Sequence, residues 1–161
     1  MCLIFYIVWK YIYTIIYKEE KYMPYLRTWM LTPTEILLRD VHISQAICPN
    51  KQGEWGVLPE HFPIIIDLDT GLFRMQLENS NKWIPFLIIG EGVAEMRRIN
   101  KLVVLAPDIR EITSADFVLL DKATKDLKEA IGKLEENPLN LEARYKMRYS
   151  RAIVRGLSLI S

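Results

Sequence analysis

Cysteine and histidine are nearly absent from this 161-residue chain, with two of each. Cys2 and Cys48 are too few and too far apart for a disulfide framework or a zinc ligand set, which points to a reducing compartment. His42 and His61 have no Cys or Glu neighbour at ligand spacing, so no metal site is expected. An excess of charge of one sign is missing too: 21 Lys and Arg against 20 Asp and Glu leave a formal net charge of +1. A protein that grips nucleic acid through its phosphates carries a marked basic excess, so nucleic acid is not an expected partner. Catalytic signatures are also lacking. The sequence holds no Gly-x-Ser-x-Gly elbow, no phosphate-binding P-loop and no His-Glu-x-x-His, and assigns neither a catalytic residue nor a cofactor.

What remains is an ordinary globular composition, half hydrophobic and a quarter charged, long enough for one medium domain or two small ones. Its first part is unusual. Residues 1–17 are apolar and aromatic, broken only by Lys10 and Thr14 and followed by Lys18, Glu19, Glu20 and Lys21. The run is slightly short for a bilayer span and has a lysine at its middle. It lacks the basic start and small-residue cleavage site of a secretory signal, and the Arg and Ser of a transit peptide. Two expectations stand for residues 1–22: a dispensable extension, with Met23 or Met30 as the functional start, or a weak membrane anchor.

Beyond it the chain falls into two halves of different period, an α+β organisation. Short apolar runs at 25–31, 35–38, 42–48, 64–68, 72–77, 83–89, 93–97 and 101–106, separated by turn residues and without intervening helices, predict a β-sandwich over 23–110. After Pro107 the period lengthens. Phe117, Leu120, Ala123, Leu127, Ala130, Ile131 and Leu134 mark the apolar face of a helix expected to begin near Ser114, with Thr113 and Asp116 spaced as a capping box. Asn137 and Pro138 should end it and open a second helix to about Leu159, apolar along Leu141, Tyr145, Tyr149, Ala152, Ile153 and Ile160. Residues 111–161 are therefore expected to form an antiparallel two-helix hairpin.

The two helices differ in charge. Residues 111–136 carry seven acids and four lysines, whereas 137–161 carry five bases and one acid. Arg144, Arg148, Arg151 and Arg155 form a stripe on the second helix. Either the hairpin is solvated and its helices attract each other, or the stripe docks on an acidic partner surface, as bidentate arginine favours.

The run Gly53-Glu54-Trp55-Gly56-Val57-Leu58-Pro59-Glu60-His61-Phe62-Pro63 reads as a stiff loop, since Gly53 and Gly56 permit backbone angles that other residues avoid while Pro59 and Pro63 fix theirs. It resembles the Gly-x-x-Gly-Val-Leu-Pro-x-His-x-Pro signature of the epsilon subunit of rotary ATP synthases. Met30-Leu31-Thr32-Pro33, Asp69-Thr70-Gly71-Leu72 and Gly90-Glu91-Gly92-Val93-Ala94 are similar to that family's first strand and two of its turns, in its plastid and cyanobacterial form. The resemblance covers roughly residues 29–158. It departs from the family at Glu91, which stands where a second glycine is usual, and at 112–117, where the nucleotide-binding motif of some bacterial members has no counterpart.

The resemblance implies a non-catalytic rotor subunit that joins gamma to the c ring, contacts alpha and beta of F1, and restrains ATP hydrolysis through its helical hairpin. It also implies peripheral association with the stromal side of the plastid thylakoid membrane. Glu54, Glu60 and His61 are the implied contacts to the ring and gamma, although His61 could instead bond within its own turn. The alternative is a membrane-tethered β-sandwich adaptor.

Overall fold

A computed structural model describes residues 25–161; the apolar extension expected at 1–22 lies outside the described residues. Nine strands lead: β1 (Leu26–Leu31), β2 (Ile36–Asn50), β3 (Gly53–Val57), β4 (Ile64–Leu68), β5 (Gly71–Leu77), β6 (Trp83–Ile89), β7 (Gly92–Arg97), β8 (Lys101–Leu105) and β9 (Asp108–Glu111). A 3-10 turn (Ser114–Leu119) follows, then helices α1 (Leu120–Glu136) and α2 (Leu141–Leu157). The strand order is β4-β7-β8-β1-β2-β5-β6-β9, with β3 attached to β2. Among the described strands the β1–β8 pair is parallel and the rest are antiparallel.

Alternation of side chains decides which face turns inward. In β1, Leu26, Thr28 and Met30 are buried while Arg27, Trp29 and Leu31 look outward; β7 and β8 bury Ala94, Met96, Leu102 and Val104 in the same way. Strand β2 closes the sandwich by pairing β1 along its first part and β5 and β3 along its second. The core so enclosed includes Leu26, Met30, Ile43, Phe73, Met75, Phe86, Ile88 and Met96. Phe73 and Phe86 meet edge to face there at 6.4 Å, a favoured aromatic geometry.

The expected strands are present, with three differences. The predicted breaks at 39–41 do not divide β2: Asp40 takes φ +59 in a bulge, and Arg27 holds its carboxylate by two bonds of 2.7 and 2.8 Å. Gly53–Val57, read as part of a loop, is strand β3, because its backbone pairs with 46–50 of β2 despite two glycines. Asp108–Glu111 is an extra edge strand on β6.

A second, smaller core lies where the helices meet the sandwich, built from Leu72, Leu87 and Ile112 against Ala123, Ala152, Ile153 and Leu157. Gly156 permits the close approach, since a Cβ there would stand 2.4 Å from Ile112 Cδ1. The helices run antiparallel, with Lys146 on α2 bonding Asp126 and Glu129 of α1, each at 3.0 Å. The second helix starts at Leu141 and not at Pro138. Asn137 instead braces the connecting turn through Leu139 N–H at 3.1 Å, while Asn140 caps α2 by accepting from Ala143 N–H at 2.9 Å. Leu141 and Tyr145, assigned to the buried face, are exposed, because only the C-terminal half of α2 reaches the sandwich.

The first helical turn is 3-10, and α1 proper begins six residues after Ser114. The Asp116 half of the capping box is in place: its Oδ2 accepts Thr113 N–H at 2.9 Å, and Arg110 pairs with its Oδ1. Burial opposes the Asp116 charge, but the Thr113 N–H and the Arg110 guanidinium outweigh it and hold the carboxyl below the usual aspartate range. A depressed carboxyl pKa adds stability that is present above the unfolded value and lost as the pH falls through the folded one. Asp116→Asn should cost about 1 kcal/mol at neutral pH. Its deficit in urea midpoint should shrink as the pH falls below about 4.

Candidate functional interface

The register of the outer sheet sets one face apart. Ile65, Glu95, Val103 and Trp29 stand in one cross-strand row over β4, β7, β8 and β1, and Asp67, Val93, Leu105 and Leu31 in the next. These positions point away from the core, yet most are apolar. Ile65 is 68% exposed, and Val93 and Leu105 are also open to solvent. Trp29 carries two cations against its ring, Lys101 Nζ at 4.7 Å and the Arg39 guanidinium at 5.5 Å from the centroid. An apolar patch interrupted by Glu95 and bordered by Arg27, Arg97 and Lys101 is the composition of a protein-docking surface.

The face ends at a built tip. Asn100, in the left-handed region at φ +51, accepts Glu60 N–H on its Oδ1 and Arg27 N–H on its backbone carbonyl, both at 2.7 Å. One residue thus ties the loop at 58–63, the β7–β8 turn and the start of β1. Glu60 and Ile99 also adopt positive φ, at +65 and +62. That conformation is rare for a β-branched residue, and surrounding structure must hold it.

The candidate residues named from sequence separate on this frame. Glu60 and His61 lie at the tip and are exposed. His61 bonds within its turn: its N–H donates to the Leu58 carbonyl at 3.3 Å, and its Nδ1 accepts Leu58 N–H at 3.4 Å. Glu54 sits on β3, and its carboxylate is taken up inside the molecule. It receives Arg74 Nη2 at 2.9 Å and Arg155 Nη1 at 2.6 Å.

The arginine stripe divides likewise. Arg155 reaches Glu54 and Arg148 pairs with the buried Asp69, so both pin α2 to the sandwich. Arg144 Nε bonds the Pro138 carbonyl at 2.9 Å, bracing the hairpin turn, and Arg151 lies 3.5 Å from Met147 Sδ with its side chain exposed. A cleft of about 330 Å³ lies under the stripe, bordered by Lys51, Glu54, Thr70, Arg148, Arg151 and Arg155. Among the described residues no three His, Cys, Asp or Glu side chains cluster as a metal site would require, and no helix is long and apolar enough to cross a membrane.

Sequence reasoning missed Asp69, Arg74, Asn100 and Ile99. A signal existed for the last two: an isoleucine between Arg98 and Asn100, in a short turn, has no core to enter. For the pins there was none, because Arg148 and Asp69 are 79 positions apart. Removing one member of a buried pair leaves the other charge desolvated. Arg148→Ala should therefore cost about 2 kcal/mol of protection in α2, against less than about 0.5 kcal/mol for Arg151→Ala, both read by native-state hydrogen exchange.

The profile of the ATP synthase delta/epsilon chain beta-sandwich domain matches residues 26–112. The chloroplastic ATP synthase epsilon chain of Thalassiosira pseudonana is 32% identical over 135 residues, covering 82% of this chain and 96% of its own length. That of Lotus japonicus is 30% identical over 140 residues, covering 84% and 98%. A chain in the cryo-EM structure of the Euglena gracilis mitochondrial ATP synthase OSCP/F1/c-ring assembly shares the fold, with a TM-score of 0.63 at 18% identity over 88% of this chain and 84% of its own. With its β-sandwich matched from end to end and relatives aligned over more than four fifths of its length, the chain belongs to the ATP synthase epsilon family.

Proposed function

We propose that the chain is a non-catalytic central-stalk subunit of a proton-translocating ATP synthase, acting as a rigid coupling between gamma and the c ring. The observation that carries this reading is the outward apolar face of β4, β7, β8 and β1 running into the Asn100-braced tip. Transmitting torque requires surfaces that do not deform. A packed sheet face, and a tip whose loops share one buried asparagine, provide them. In this reading the sheet face seats against gamma, and Glu60 and His61 meet the ring. Glu54 reaches the ring only if Arg155 releases it, since its carboxylate is engaged while α2 is docked.

The hairpin supplies the restraint on ATP hydrolysis, acting on alpha and beta of F1. Its turn end fits that role: Leu139 and Leu141 are 77% and 76% exposed, beyond the part of α2 that the sandwich covers. The chloroplast relatives support a plastid location, and in this reading the subunit sits on the stromal side of the thylakoid membrane. No cofactor is required.

Two measurements test the reading. The full chain should co-purify with alpha, beta and gamma from thylakoid extracts, and failure to do so would overturn the stalk assignment. A chain truncated after Ile112 should still assemble while the complex hydrolyses ATP severalfold faster. Unchanged hydrolysis would remove the inhibitory role and leave the coupling role standing.

A further inference from the structure

The tip projects three large apolar side chains into solvent, Phe62 at 89%, Ile99 at 71% and Leu58 at 49% exposure. Two loops carry them, and the bond of 2.7 Å from Glu60 N–H to Asn100 Oδ1 holds those loops side by side. Ile99 is kept at a positive φ that isoleucine avoids, so its presentation is imposed by the fold. Exposed apolar side chains gathered in this way mark a contact with protein or with membrane.

Two features of the tip favour a membrane. The first is its backbone. Leu58 N–H donates to His61 Nδ1 at 3.4 Å, Glu60 N–H to Asn100, and His61 N–H to the Leu58 carbonyl at 3.3 Å, while Pro59 and Pro63 have no N–H to satisfy. A loop that enters a layer poor in water must have its polar backbone paired beforehand, whereas a protein partner can supply bonds of its own. The second is charge. Arg97 and Lys101 are register partners at the ends of β7 and β8, directly behind the turn, and the exposed Arg98 adjoins Ile99. Arg97 is shared with Glu95, so the net attraction for an anionic surface rests on Arg98 and Lys101, opposed by Glu60 at the tip itself. Cations set just behind apolar side chains suit a layer of anionic headgroups, with the apolar groups reaching past it toward the acyl chains.

We propose that the tip is a lipid-docking surface: Leu58, Phe62 and Ile99 enter the interface of an anionic bilayer while Arg98 and Lys101 meet its phosphate groups. Lipid docking is a property of the chain alone and goes beyond the stalk assignment. Where that assignment also holds, the bilayer keeps the free subunit at the membrane surface, tip first, in the orientation in which Glu60 and His61 meet the ring.

Vesicles that hold no ATP synthase test this. In the full chain with Cys2→Ser, Cys48 is buried, so an environment-sensitive NBD dye can be placed on Ile99→Cys at the tip or on Ile36→Cys. Ile36 is exposed and pairs with Leu31, at the opposite end of β1. On phosphatidylglycerol vesicles the dye at 99 should brighten severalfold and be quenched by lipids spin-labelled in the acyl chain, while the dye at 36 keeps its signal in buffer. Phosphatidylcholine should be needed at about tenfold higher concentration for the same gain. Glu60→Gln should lower the half-maximal phosphatidylglycerol concentration and Arg98→Glu should raise it, each severalfold and with the urea midpoint unchanged. A dye at 99 that stays in water while the chain sediments with vesicles would overturn the proposal, by giving the binding to another part of the chain. Equal gains at 36 and 99, or no binding at all, would overturn it too. A gain seen only once purified c ring is reconstituted into the vesicles would assign the tip to a protein partner instead. None of these results bears on co-purification with alpha, beta and gamma, so the two readings fail separately.

Discussion

Side-chain alternation in four neighbouring strands is the constraint on which the rest of this molecule depends. Because β1, β4, β7 and β8 each turn one set of residues inward, Leu26, Met30, Ile66, Ala94, Met96, Leu102 and Val104 make the core. The same geometry forces Ile65, Val93 and Leu105 outward. Slipping any one of these strands by a residue would exchange the two sets, destroying core and docking face together. The face is thus specified by the packing behind it, and stiffness comes with it, since close-packed interiors deform little.

Rigidity is not uniform. The sandwich closes through a large apolar core, whereas the hairpin is held by a small cluster and two arginine contacts. Half of α2 extends past the sandwich with only α1 for company, and the exposed Leu141 lies there, beside Leu139 of the connecting turn. Regions with few buried contacts open first, so the element assigned the regulatory role is the one the fold holds least firmly.

Much of this was legible in the sequence, and the exceptions have physical causes. Strands such as Ile64–Leu68 and Trp83–Ile89 were read with their observed bounds, since apolar runs between turn residues are a local property. Gly53–Val57 was not, because two glycines in five residues argue against a strand and only the backbone of β2 overrides them. The exposure of Leu141 and Tyr145 was equally hidden. Helical spacing shows that residues share a face but not how far the partner surface extends. Glu54 is the instructive residue of the interface. Its place in the signature marks it as presented to a partner, while its carboxylate is held by an arginine 101 positions away.

The two arginines that pin α2 are seven residues apart. In an α-helix that separation is about 10.5 Å along the axis and nearly two full turns around it, so both side chains leave from almost the same azimuth. One contact would let the helix swivel about its point of attachment. Two at this spacing index it, as a key with two teeth indexes a shaft: a slip of one residue would turn α2 by about 100° and carry Arg148 and Arg155 away from Asp69 and Glu54 at once. The docked hairpin consequently has a single angular setting against the sandwich and no series of intermediate ones, which is the geometry of a part that is either seated or free.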